Sequence, residues 1–309
     1  MKYKKYLITG GAGFLGSCVV NELVRRGVKK KNIYIPRSKS LDLIKWENCL
    51  KATKNIDVVI HLAAKVGGIG LNMAKPGELF YQNLIMGSHL MEASRLNKVK
   101  KFVAVGTVCS YPKFTPTPFK ETDLWNGYPE DTNAPYGLAK KMLLVQSQAY
   151  RKQYGFNSIF LLPVNLYGPK DNFNLESSHV IPALIRKIED ARMDNKKYVE
   201  VWGTGKASRE FLYVEDAARA IVLATFKYNK SEPVNIGNGK EIKICDLVRL
   251  ISNIIGYEGK IVWNKSKPDG QLRRRLDINR AKKEFGFKAK TSIKQGLLKT
   301  IQDYYEIYW

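Results

Sequence analysis

The chain has 309 residues, 44% apolar, 11% aromatic and 26% charged, with 52 lysines and arginines against 28 acids and a formal net charge of +24. This balance excludes wholesale disorder and supplies apolar mass for a sizeable core, and no run of about 18 apolar residues exists to span a bilayer. The cationic excess favours polyanionic partners, but it is scattered in short runs (KYKK, KKK, KVKK, RRR) with neither aromatic interleaving nor zinc-finger spacing, so we expect solvated faces and no nucleic-acid partner.

In chain order, apolar runs predict strands at 5–9, 33–35, 58–62, 101–105 and 158–162, and helical spacing predicts helices at 13–26, 80–96 and 136–154. Strand–helix alternation of this kind predicts an α/β fold with a doubly wound, Rossmann-like parallel sheet. Beyond Pro163 the segments shorten and are punctuated by glycine and proline, with helices expected at 180–192, 214–226, 244–255 and 293–304. We read a dinucleotide-binding domain at 1–165, supplemented by a strand and helix from about 205–240. Residues 166–309 are then mainly a smaller C-terminal α/β substrate lobe, with a pocket where the two meet. Cys18, Cys49, Cys109 and Cys245 are far apart, with no CxxC pair and no metal spacing, which fits a reduced, cytoplasmic compartment and no bound metal.

Thr9 to Ser17 reads TGGAGFLGS, directly after the first expected strand and opening the first helix. Gly10, Gly13 and Gly16 in that context tighten the turn, admit a pyrophosphate close to the backbone and let helix and strand pack together. The end of the second strand, IYIPRSKS, lacks the acid that holds a ribose 2′-hydroxyl. Arg37, Ser38 and Lys39 suit a 2′-phosphate instead, so the expected cofactor is NADP(H); Asp42 belongs nearer the adenine.

Tyr136-Gly-Leu-Ala-Lys140 places a tyrosine and a lysine one helical turn apart on one face. Lys140 is expected to hold the nicotinamide ribose and to lower the Tyr136 pKa, making the phenol a usable proton donor. The glycine turn followed by YxxxK resembles the extended short-chain dehydrogenase/reductase superfamily. AAKVGGI (63–69), YQN (81–83), CSYPK (109–113), TNAPYGLAK (132–140), NLYGPKDNF (165–173), SHVIPALIRK (178–187), VWGTG with REFLYVED (201–216) and SKPDG (266–270) extend the likeness along nearly the whole chain. In these segments the chain resembles the GDP-L-fucose synthase family of epimerase-reductases.

The resemblance implies NADPH-dependent epimerisation at C3 and C5 and reduction at C4 of GDP-4-keto-6-deoxy-D-mannose. Tyr136, Lys140 and Thr107 would form the reducing trio, Thr107 standing where the family usually has serine. Cys109 and His179 match the acid/base pair, whose types suit removal and return of protons alpha to a ketone. Gly10, Gly13, Phe14, Leu15, Gly16, Arg37, Ala63, Lys140, Pro163, Asn165, Leu166 and His179 would contact the coenzyme. Lys187, Trp202, Arg209, Asp269 and Asn165 would bind the GDP-sugar, with Arg274 a further candidate cation; Lys187 replaces a usual arginine. Homodimers paired through helices such as 80–96 and 136–154 are common in the family.

Departures from the family are a compressed segment at 38–55 and the loop LWNGYPED, whose Trp125 and Tyr128 either line the pocket mouth or pack the lobe. Competing readings are a reductase or epimerase for another GDP-sugar, such as a deoxyheptose or a colitose precursor, a 4-epimerase, and a non-catalytic dinucleotide-binding regulator or nucleic-acid binder.

Overall fold

The computed structural model describes residues 3–267 and 269–308, the side chain of Ile69 excepted. Pro268 of SKPDG therefore lies outside the described residues. The first half builds β1 (Tyr6–Thr9), α1 (Phe14–Arg25), β2 (Ile33–Tyr34), α2 (Trp46–Thr53), β3 (Val58–His61), α3 (Ile69–Ala74), α4 (Pro76–Leu96), β4 (Lys101–Val105), α5 (Ala134–Tyr154) and β5 (Ser158–Pro163). The second half builds β6 (Asn165–Tyr167), α6 (Val180–Met193), β7 (Tyr198–Trp202), β8 (Ser208–Tyr213), α7 (Val214–Lys227) and β9 (Val234–Ile236). It continues with β10 (Glu241–Lys243), α8 (Ile244–Ile255), β11 (Lys260–Asn264), β12 (Arg273–Arg274), α9 (Asn279–Phe285) and α10 (Ile293–Tyr308).

Every residue of β1, β3, β4 and β5 is buried, as expected of strands covered on both faces. The central sheet has the order β2-β1-β3-β4-β5-β9, all parallel. The chain leaves β1 for β2 and then recrosses β1 to reach β3. This reversal opens a crevice at the carboxyl ends of β1 and β3, where α/β sheets bind ligands. The compressed segment 38–55 passes from β2 straight into α2, a helix its short amphipathic stretch does not announce.

Helix α4 begins at Pro76 rather than at 80, because proline at the helix start gives up no hydrogen bond. One core fills both faces of the sheet and takes in Val234 and Ile236 of β9 together with α7 residues such as Ala217 and Ile221. It also includes Leu276, Phe285 and Phe287, a late return that the sequence pattern does not signal. A second core joins α6, α8 and α10 to β8 through Ile185, Leu247, Ile251, Phe211 and Leu297. In this region β8 is flanked by parallel β6 and β12 and by antiparallel β10, and β7 pairs with β11.

Candidate active site

The glycine turn is built by exclusion of side chains. Gly10 has φ +68, and a Cβ on Gly16 would lie 2.0 Å from the Gly10 carbonyl oxygen, so α1 can meet β1 only through bare backbone. Gly13 is the N-cap of α1 and supplies no side-chain cap, so N–H groups of the first turn face the cleft. Beneath the turn, Thr9 Oγ1 lies 2.8 Å from His61 Nδ1 and accepts the Ala63 N–H at 3.2 Å, tying β1 to β3.

A cleft of about 1280 Å³ runs from this turn across the ends of the strands into the second lobe. It is lined by every residue that the sequence assigns to catalysis or substrate, and by all of those assigned to the coenzyme except Lys39. At the coenzyme end these are Gly10, Gly13, Phe14, Leu15, Gly16, Arg37 and Ala63, with Pro163, Asn165 and Leu166 further along. Ser38 and Asp42 also line it, whereas Lys39 does not. Asp42 is partly occupied by its own turn, accepting the Ile44 N–H at 3.0 Å. Among the described residues no carboxylate pairs with Arg37, which leaves its fork available for a phosphate.

Deeper in the cleft, α5 is pressed against the short turn that follows β4. A Cβ on Gly137 would sit 2.3 Å from the Cys109 carbonyl oxygen, and Ser110 Oγ donates to the Gly137 carbonyl at 2.9 Å. This contact holds Tyr136, Thr107 and Cys109 together. Thr107 Oγ1 accepts the Cys109 N–H at 3.2 Å, which leaves its own hydroxyl proton free to donate. The Lys140 side chain is almost wholly buried, and this desolvation pushes its ammonium down to about 8.

The Tyr136 pKa moves opposite to the sequence expectation. Burial raises it, the Cys109 sulfur raises it further, and a hydrogen bond with Thr107 opposes them. Desolvation of the phenolate dominates, so Tyr136 holds its proton firmly in the protein by itself. His179 stands at the N-cap position of α6 without a side-chain capping bond and lines the cleft, and desolvation lowers its imidazole pKa.

At the far end, Arg209 Nη2 donates to the Asp269 carbonyl at 2.9 Å, and burial followed by the like charge of Arg274 depresses the guanidinium to about 10. Lys187 and Lys267 bring their ammonium groups 5.5 and 5.2 Å from the centroid of the exposed Trp202 ring. The Asp269 carboxylate holds the turn after β7, accepting the Thr204 N–H at 2.7 Å and its hydroxyl at 2.6 Å, so it shapes the wall beside Trp202. Of the arginine triplet, only Arg274 lines the cleft; Arg273 pairs with Glu241 on the outer side. Asn165 Nδ2 is anchored on the Glu210 carbonyl at 3.0 Å. Trp125 and Tyr128 stay outside the lining, with the Lys141 ammonium 4.0 Å from the Trp125 ring centroid.

Glu130 and Asn133 are among the lining residues that the sequence does not single out. Glu130 Oε2 accepts from Asn133 Nδ2 at 2.9 Å and from the Thr132 hydroxyl at 2.5 Å, and both Glu130 and Asn133 face the cleft. The available signal was their place in EDTN, immediately before the tyrosine helix.

The profile of the NAD dependent epimerase/dehydratase family matches residues 6–237. The chain belongs to that family. A protein of Oryza sativa subsp. japonica described as probable GDP-L-fucose synthase 1 is 39% identical over 305 residues, spanning 98% of this chain and 92% of that protein. A GDP-L-fucose synthetase from Naegleria fowleri solved with NADP bound superposes with a TM-score of 0.87 at 28% identity, over 100% of this chain and 96% of that one. A GDP-6-OMe-4-keto-L-xylo-heptose reductase from C. jejuni superposes with a TM-score of 0.90 at 29% identity, over 99% of both chains. This epimerase/dehydratase family member thus shares the fold of these two solved structures over nearly its whole length.

Proposed function

We propose that the chain is an NADP(H)-dependent GDP-sugar epimerase/reductase that inverts C3 and C5 of GDP-4-keto-6-deoxy-D-mannose and reduces C4 to give GDP-L-fucose. The observation that carries the reading is that one cleft holds both sets of chemistry: Thr107, Tyr136 and Lys140 for a ketone, and Cys109 and His179 for carbon-bound protons. The first-turn N–H groups of α1 receive the pyrophosphate, Arg37 holds the 2′-phosphate, and Ala63, Pro163 and Leu166 line the coenzyme channel. Arg209 and Lys187 meet the sugar-nucleotide diphosphate, Trp202 offers its face to the base, and Asn165 stands between the sugar and the nicotinamide.

The C3 and C5 protons are both alpha to the C4 ketone. Cys109 and His179, as base and acid, take a proton from one face and return one to the other. Thr107 and Tyr136 donate to the C4 oxygen as it gains charge. When bound, NADPH supplies hydride to C4. Tyr136, held protonated by its burial, gives the oxygen its proton, and Lys140 orients the ribose and balances the charge left on the phenol.

Incubation with NADPH and GDP-4-keto-6-deoxy-D-mannose in D2O tests this reading. Stoichiometric NADPH oxidation, deuterium at C3 and C5 and a fucose-configured product support it. Turnover of a GDP-heptose ketone without deuterium uptake would shift the assignment to a reductase of that class, and no net oxidation would point to a 4-epimerase.

Two predictions arise from the coenzyme end. Arg37→Ala removes a bidentate phosphate donor, so the NADPH-to-NADH ratio of kcat/KM falls about tenfold or more, measured with each coenzyme. Because kcat/KM reports groups of the free enzyme, its value for NADPH declines above the Lys140 value of about 8, where the competent ammonium loses its proton. A pH profile that stays flat to pH 10 overturns this role for Lys140.

A homodimer is the proposed assembly. It pairs α4 with α5 across copies, where Phe80, Tyr81 and Val145 stand exposed. Among the described residues no helix is long and apolar enough to cross a membrane, and the proposed cytoplasmic setting accords with four free thiols. The proposed division assigns 1–165, with material from about 205–240, to coenzyme and the rest mainly to substrate.

A further inference from the structure

Arg274 has an unusual setting. Only 9% of its surface is exposed, and among the described residues no carboxylate forms an ion pair with it. A desolvated guanidinium without an anion is costly, so such a group is built for a negative charge that comes and goes. Its Nη1 donates to Cys109 Sγ at 3.8 Å, across 165 residues of sequence. The placement is supported from behind. Arg274 Nε donates to Gln271 Oε1 at 3.2 Å, and Gln271 Nε2 donates to the Lys113 carbonyl at 2.8 Å. Gln271 thereby ties the β12 segment to the CSYPK turn that carries the thiol. Parallel pairing with β8 sets Arg274 opposite Arg209, while the neighbouring Arg273 turns outward to Glu241.

The geometry points to Arg274 as the positioning residue of the epimerising thiol: it orients Cys109 and offsets the charge that sulfur carries at one end of each proton transfer. The inference rests on the proposed exchange of carbon-bound protons by Cys109. In that step the C–H electron pair passes into the enolate, and the proton moves to the sulfur, converting thiolate to thiol. The His179 imidazolium returns a proton to the opposite face and becomes neutral. Among the described residues, the guanidinium groups of Arg274 from β12 and Arg209 from β8 face Cys109, together with the neutral Tyr136 phenol from α5. Arg209 is committed to the Asp269 and Ser208 carbonyls, which leaves Arg274 as the cation in hydrogen-bond contact with sulfur.

The test does not require the substrate. Iodoacetamide labelling of Cys109, followed by peptide mass spectrometry at about pH 7.5, reads the reactive sulfur directly, since the thiolate is the nucleophile. In Arg274→Gln the labelling rate is expected to fall about tenfold, and in Arg274→Lys to recover to within about threefold of wild type. Unchanged or faster labelling in Arg274→Gln overturns the inference, because a shorter side chain that merely opens the pocket raises access. Should that variant not fold, Gln271→Ala, which frees the guanidinium from its brace, is expected to slow labelling in the same direction.

With a GDP-4-ketosugar in D2O, Arg274→Gln lowers deuterium uptake at saturation about tenfold while KM moves less than about threefold. A loss confined to KM would assign Arg274 to the diphosphate instead. If wild-type protein turns over no GDP-4-ketosugar, the functional reading fails, and the labelling comparison still decides the contact.

Discussion

In Tyr136→Phe, NADPH oxidation in the presence of the GDP-4-ketosugar is expected to fall about 10³-fold, or about 4 kcal/mol in the barrier, while NADPH affinity stays within about twofold. Phenylalanine preserves the ring volume on α5 and leaves Gly137 free to seat against the Cys109 turn, so the cleft keeps its shape. Only the hydroxyl is lost, and with it the proton for the C4 oxygen. Burial raises the Tyr136 pKa, so the phenol is fully protonated at neutral pH and acts as donor, not as a resting phenolate. Stopped-flow traces of NADPH absorbance measure the rate, and NADPH fluorescence titration measures the affinity. Reduction within about tenfold of wild type would show that another acid serves C4, since a positioned acid normally contributes 10²-fold or more.

Cys109→Ser is expected to reduce deuterium incorporation at C3 and C5 about 10²-fold or more, with coenzyme affinity unchanged. Serine keeps nearly the same shape and the same backbone bond to Thr107 Oγ1, but its hydroxyl is far too weak an acid to exchange protons with carbon at neutral pH. His179→Asn removes the opposite partner, and the two defects should not add, because one inversion needs both groups. Unchanged incorporation in the serine variant would remove Cys109 from the chemistry, while leaving the role of Tyr136 intact.

Much of the coenzyme half is legible in the linear chain, because its determinants are local. A glycine turn joins one strand to one helix, and Tyr136 and Lys140 share a helical face through a four-residue spacing. The buried strands announce themselves as continuous apolar runs, such as VVI of β3. The short elements α2, α3 and α9 are less visible, since eight, six and seven residues offer little periodicity and depend on tertiary packing. Strand β7 alternates cleanly as YVEVW, yet glycines crowd its end, and its partner β11 lies about 60 residues away.

The residue types of the candidate site follow from sequence alone, as does the order of strand, turn and helix that makes the anion cradle. Both depend on neighbours a few positions apart, where backbone geometry dictates which groups meet. Three things depended on the tertiary structure: the direction of the Tyr136 pKa, the inward placement of Arg274 while Arg273 turns outward, and the contact of Arg274 with Cys109. A lysine four residues away suggests a stabilised phenolate, but desolvation depends on all the atoms around the ring, and those come from distant segments. A guanidinium and a thiol 165 positions apart have no local reason to meet; β12 must pair with β8 before either can feel the other.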